Sequence, residues 1–318
     1  MSALIGKPES LRDAYGKALL TLGERDPNLV VFDADLSGST RTILFGQKFP
    51  ERFFNVGVME PTMMSMAAGM ALQGRTVYAS TFAVFAAGQA YNFVRQSICY
   101  NRANVKIVAT HGGLLVGADG ATHQIVEDIG LMRGLPGMTV IVPADAPTTR
   151  AATFVVAERD GPAYVRLTRE NLPTVTDGSF ELGRAAELRS GSDLTIVAVG
   201  SLVARALEVA EELAQVGVST RVLDFASVKP FDAPALLRAA RDTGAILVLE
   251  EHTVLTGVGA LVASAVAENY PVPVRRVGVP DLFGESGEPW SLLDRYGMSK
   301  ERVRDEAWEL LRGRGKVQ

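Results

Sequence analysis

Cysteine is almost missing. Cys99 is the only one in 318 residues, which excludes an internal disulfide and fits a reducing compartment. No apolar run reaches the ~18 residues of a membrane span. The opening residues, MSALIGKPESLRDA, lack the apolar core of a secretory signal. No basic tract is present and the net charge is −4, so a nucleic-acid surface leaves no footprint. There is no HExxH, no Cys/His metal spacing, no P-loop and no GxSxG. A GxGxxG is also absent, since Gly257-Val258-Gly259 lacks its third glycine. These absences lead us to expect a cytoplasmic protein that binds neither membrane nor nucleic acid and holds no metal with its own ligands.

What is present is core. Hydrophobic residues make up 47% and charged ones 21%. The length suits about two domains at ~100–200 residues each. Short apolar runs alternate with helical patterns: 28–34, 75–80, 105–110, 138–144 and 163–168 read as strands, and 10–22 as a helix capped by Ser10. The strands are nearly all apolar, as in a parallel sheet covered on both faces. Residues 171–192 are rich in Pro, Gly, Ser and Asp, and mark a domain boundary. A second alternating series follows, LTIVAVG, VSTRVLDF, AILVLEE and VPVRRVGV with helices between. The expected fold class is α/β, with two doubly wound domains over 1–175 and 190–318, the second smaller and mainly parallel.

The chemistry concentrates in HGGLLVGADGATHQ, residues 111–124, directly after the strand VKIVAT. Polar groups at the carboxyl end of a buried strand are where open α/β sheets place ligands. His111, Asp119 and His123 share this glycine-broken loop. Glu60, in NVGVMEPTMMSMAAGMAL, sits at or beside an N-cap with Pro61 in the first turn. The helix after it is apolar on all sides, which predicts burial of the helix and of its carboxylate. A buried carboxylate needs a partner. Phe82 and Phe85, three apart, read as one helical face, and spacing alone makes them core. Arg169 ends the strand AYVRLT, Arg12 starts the first helix, and Ser39 lies in the loop DADLSGST. An arginine at a strand end can grip a phosphate bidentately, although any one of them taken alone reads as a surface ion pair. His252 reads as structural. Cys99 has no base beside it to make a nucleophile.

Taken together, these residues resemble the C-terminal half of transketolase over essentially the full length: its pyrimidine-binding domain (about 1–175), then its C-terminal domain (about 190–318). VGVME resembles the segment of the catalytic glutamate, which implies Glu60 against the N1′ atom of an aminopyrimidine ring. STFAVF implies Phe82 and Phe85 beside that ring. THGGLLVGADGATHQ implies that His111 and His123 hydrogen-bond substrate oxygens and relay protons, and that Asp119 reads a donor hydroxyl. LTREN, SLRDA and DLSGS imply Arg169, Arg12 and Ser39 as the grip on a terminal phosphate. GVPDLFGESG resembles a C-terminal signature of the family. Two positions depart from it: Gly88 stands where a third aromatic is common, and Gly112 where Asp often follows the first histidine.

The resemblance implies thiamine diphosphate as cofactor. Missing is a GDG with a distant Asn, the element that holds the diphosphate and its metal in thiamine enzymes. That implies Mg held by a partner, the N-terminal subunit of a split transketolase, in an α2β2 assembly acting on sugar phosphates. The Met-rich helix after Glu60 is a candidate interface, with ordinary core packing as the alternative. Competing readings are a 1-deoxyxylulose-5-phosphate synthase-like or 2-oxoacid dehydrogenase β-like subunit, and a non-catalytic α/β binding module.

Overall fold

The computed structural model describes residues 6–313 and residue 315. Six parallel strands build the first sheet: β1 (Leu29–Asp33), β2 (Phe53–Asn55), β3 (Thr76–Phe82), β4 (Val105–Thr110), β5 (Thr139–Ile141) and β6 (Ala163–Arg166). Their order is β5-β6-β4-β3-β1-β2. Helix α1 (Leu11–Arg25) starts where the Ser10 side chain accepts the Asp13 N–H, as the capping pattern predicts. Helix α2 (Glu60–Leu72) follows β2, and α3 (Ala146–Ala157) follows β5. Because the strands run parallel, their carboxyl ends open on one edge, and the loops carrying the candidate residues meet there.

The second sheet contains β7 (Ala186–Arg189), β8 (Leu194–Ala198), β9 (Thr220–Asp224), β11 (Ile246–Thr253) and β12 (Val274–Val279), in the order β12-β11-β8-β9-β7, with only β7 antiparallel. Helices α4 (Val203–Gln215), α5 (Ala233–Thr243), α6 (Val258–Asn269) and α7 (Lys300–Arg312) complete this unit. The chain is thus two α/β units with mostly parallel sheets. One short strand, β10 (Ser227–Lys229), leaves the second unit and pairs antiparallel with β5 at the edge of the first sheet. The apolar core is continuous across the two: Ile141 and Ala144 belong to the same buried cluster as Leu202 and Val203. Among the described residues no helix is long and apolar enough to cross a membrane.

Several expectations need correcting. Strands β2, β7 and β10 are short and carry polar or exposed residues, so apolar runs do not reveal them. Helix α2 is not buried all round: Thr62, Met66, Gly69 and Leu72 form an exposed stripe, with Met66 44% and Leu72 56% accessible. Apolar composition marks burial only when something covers the face. Phe82 and Phe85 do not share a helix. Strand β3 runs to Phe82, and Phe85 lies in the first turn of the helical stretch that follows. That stretch contains two wide π-helical segments, Val84–Gln89 and Val94–Tyr100, a geometry frequent at functional sites.

Candidate active site

Glu60 is the first residue of α2, with Met59 as cap residue and Pro61 next in the opening turn. It is 1% exposed, and its Oε2 is buried without a hydrogen-bond partner among the described residues. Leaving a carboxylate oxygen so is costly. Helix α2 packs on β3 and on the helical segment that carries Phe85.

Phe82, at the end of β3, stacks on His111, which begins the loop after the adjacent strand β4; the ring centroids are 3.7 Å apart. Phe82 and Phe85 lie nearly parallel at 5.9 Å, and His123 stands edge-on to both, at 6.3 and 5.6 Å. Each imidazole is oriented by the threonine before it. His111 Nδ1 meets the Thr110 hydroxyl at 2.8 Å, and His123 Nδ1 meets the Thr122 hydroxyl at 2.9 Å. Both Nε2 atoms are thereby left for other work. His111 takes a positive φ of 60°, rare for a residue with a side chain. Its neighbours fix it there: Gly112 N–H donates to the Leu167 carbonyl and Gly113 N–H to the Ile125 carbonyl, each at 3.0 Å.

The third part is cationic. Arg12 Nη1 donates to the Ser39 carbonyl at 3.2 Å. Arg169 lies beyond the end of β6, which stops at Arg166; its Nη1 donates to the Val116 carbonyl at 2.7 Å and pairs with Asp119 at 3.3 Å. Burial, then the charges of Arg12 and Arg169, push the His111 pKa down to about 3. Burial and the neighbouring Arg41 and Arg169 lower that of Arg12. Arg12 and Arg169 thus act on the His111 imidazole, with Arg41 near Arg12, an arrangement of guanidinium groups suited to an anion. Burial and these charges both favour the neutral imidazole of His111 near pH 7.

The structure thus brings His111, His123, Phe82, Phe85, Arg12, Ser39, Arg169 and Asp119 into one connected group, with Glu60 joined to it through the packing of α2. Sequence reasoning overlooked Arg41, Gln124 and a buried ionic set behind the loop, Asp128, Arg166 and Glu251. The signal available was charge inside runs otherwise apolar, as in AYVRLT and AILVLEE. His252 is structural as expected: Nε2 accepts the Gly130 N–H at 3.2 Å, and burial lowers its pKa to about 4. Burial raises the Cys99 thiol to about 11, consistent with an inert cysteine.

The family "Transketolase, pyrimidine binding domain" matches residues 7–175, and "Transketolase, C-terminal domain" matches residues 183–303. The chain belongs to the transketolase family. A "Putative transketolase C-terminal section" of Methanocaldococcus jannaschii is 42% identical over 308 residues, 95% of this chain and 96% of the relative. A 6-deoxy-6-sulfo-D-fructose transketolase subunit of a Clostridium species is 40% identical over 302 residues, covering 94% of each. Among solved structures, a "Split gene transketolase, inactive beta4 tetramer" shares 50% identity with a TM-score of 0.89, covering 95% of this chain and 98% of that one. Transketolase of Campylobacter jejuni shares the fold at a TM-score of 0.83, this chain covering 47% of it. Against this family pattern, Gly112 has a structural reason, because the Arg166 side chain occupies the space beside it.

Proposed function

We propose that this chain is the β-type subunit of a split, thiamine diphosphate-dependent transketolase that moves a two-carbon ketol unit from a ketose phosphate to an aldose phosphate. The observation that carries the reading is the buried, unpartnered Glu60 Oε2 on the sheet edge that also holds the ring-lined histidines and the arginine group. A protonatable ring nitrogen fits that oxygen, and Phe82 and Phe85 supply an apolar wall for a flat heterocycle. Bound thiamine diphosphate supplies the electron sink for carbon–carbon bond cleavage and transfer.

The chain's own groups then have separable tasks. Glu60 holds the ring nitrogen N1′ and the proton shared with it. His111, neutral, donates or accepts a hydrogen bond at a substrate oxygen through Nε2, and His123 does the same and moves protons. Asp119 accepts from a donor hydroxyl. Arg12 and Arg169, with Ser39, hold the terminal phosphate. We divide the chain into a pyrimidine-binding domain over 1–175 and a C-terminal domain over 190–318.

A second polypeptide carrying the diphosphate and Mg completes the site, in an α2β2 assembly in the cytoplasm. Exposed apolar side chains support this: Val58 is 71%, Met59 52%, Met66 44% and Phe93 38% accessible, all on or beside the elements flanking Glu60. Reconstitution with that partner, thiamine diphosphate and Mg, assayed on phosphorylated and unphosphorylated sugars, tests the proposal. Ketol transfer is expected with the wild type, and Glu60→Gln should lose ~10²–10⁴-fold in turnover. Full turnover by Glu60→Gln would refute it.

A further inference from the structure

Glu251 belongs to the second unit, yet its carboxylate ends against the histidine loop of the first. It is 2% exposed. Its Oε1 accepts the Leu115 N–H at 2.7 Å, and its Oε2 accepts the Ser201 hydroxyl. The Glu251 carbonyl accepts Arg166 Nη2 at 3.1 Å. Arg166 Nε pairs with Asp128 at 2.9 Å, and the Tyr164 hydroxyl donates to Asp128 at 2.7 Å. Gln124, just after His123, adds a second tie to the same loop: its Nε2 donates to the Leu114 and Gly117 carbonyls at 3.3 Å and to the Glu285 carbonyl of the second unit at 3.0 Å.

The loop needs such anchors. Gly113, Gly117 and Gly120 all have positive φ, and Gly117 interrupts the short helical segment Leu114–Asp119 with a kink, so its course is not that of one regular helix. Stability alone is a poor reason for the anchors. Burying two carboxylates with one guanidinium costs desolvation that apolar packing of similar volume would avoid, and such groups are better suited to fixing one arrangement.

We infer that Glu251 is a positioning residue: through the Leu115 N–H it sets the short helix ending at Asp119, and with it the loop to His123. The second unit would then fix the geometry of groups that face substrate while supplying none itself. The inference rests on the function proposed above for the loop.

Two variants test it. Glu251→Met keeps volume and removes both acceptors. Glu251→Gln keeps an acceptor for the Leu115 N–H and turns its amide N–H toward the Ser201 hydroxyl. Amide hydrogen exchange over 112–120 is read on the chain alone, and donor KM and kcat on the reconstituted enzyme. For Glu251→Met we expect faster exchange in that segment, a raised donor KM, and ~10²-fold loss in kcat/KM. Glu251→Gln should restore all three. A folded Glu251→Met with unchanged exchange or unchanged KM overturns the inference, as does failure of Glu251→Gln to restore them. If Glu251→Met does not fold, Glu251→Asp keeps the charge, shortens the reach and is judged by the same readouts. A wild-type holoenzyme inactive toward every sugar would sink the proposed function instead, and the exchange data would still decide whether Glu251 anchors the loop.

Discussion

A Cβ on Gly112 would lie 2.6 Å from Nε and 2.8 Å from Cγ of Arg166, so the two residues cannot both carry a side chain in this arrangement. Gly112 does not have a positive φ, so a substitution there meets a packing penalty and no left-handed strain. Arg166 cannot give way easily, since it is 4% exposed and held by Asp128 and the Glu251 carbonyl. Gly112→Ala should therefore destabilise the chain by about 1–3 kcal/mol, the usual cost of overpacking. Urea denaturation checks this, and an unchanged midpoint would show that the guanidinium is free to move.

Gly88 is the opposite case. The nearest atom to a Cβ built there is Ile125 Cδ1 at 3.9 Å, an ordinary contact. It lies in the helical segment Val84–Gln89, where glycine costs backbone entropy. Gly88→Ala should raise stability by about 0.5–1 kcal/mol. Thermal unfolding of the isolated chain measures it. A loss of stability would mean that the wide helical turn depends on the glycine.

How much of this was legible in the sequence depends on what each feature is made of. Strands β1, β3, β4 and β6 announce themselves because a sheet covered on both faces must be apolar. Short β2, β7 and β10 do not, and β10 pairs with a strand of the first sheet while β9 and β11, on either side of it in sequence, belong to the second. The candidate site residues stand out as polar groups at strand ends, but spacing alone leaves Phe82 and Phe85 as core and each arginine as a surface ion pair; only the resemblance to transketolase implies their roles. The anchors Arg166 and Glu251 could not be placed. Their partners, Asp128 and Leu115, are 38 and 136 residues away, and only tertiary packing joins them.

Asp224 gives the stability a pH dependence of defined sign. Its Oδ1 is buried without a hydrogen-bond partner among the described residues, and burial, then the nearby Asp145, raise its pKa to about 8. Between the ordinary carboxylate range and pH ~8 the folded chain binds a proton that the unfolded chain has released, so stability falls as pH rises through that window. Glu250, raised to about 7 by burial, acts in the same direction. His111 and His252, lowered to about 3 and 4, act oppositely below pH ~6.5, where acidification destabilises. From pH ~6.5 to 8 the histidine contribution is gone and the carboxyl contribution sets the slope, until Lys106, lowered by burial to about 8, starts to release its proton near pH 8 and opposes it. The wild type should lose stability over that interval, and Asp224→Asn should flatten the decline. Urea midpoints at the two ends measure it, and parallel curves would show that Asp224 does not titrate there.

In the proposed function Arg169 would join the phosphate grip to the histidines, so its removal should be visible in two unrelated measurements. Its side chain is 37% exposed, and its guanidinium pairs with Asp119 and donates to the Val116 carbonyl, which leaves N–H groups for a phosphate. A hydrogen bond to a charged group contributes about 1.5–3 kcal/mol, so Arg169→Ala should raise the KM of a phosphorylated donor ~10- to 100-fold. The same sugar without phosphate should change little. Equal effects on both would assign Arg169 to loop architecture through Val116. The second measurement needs no substrate. Arg169 is among the charges that hold the His111 pKa down, with burial the larger cause. In Arg169→Ala that pKa should rise yet stay below the ordinary imidazole value. The chain has three histidines, so imidazole NMR resolves the shift directly. A His111 resonance indifferent to Arg169 would separate the two parts of the site.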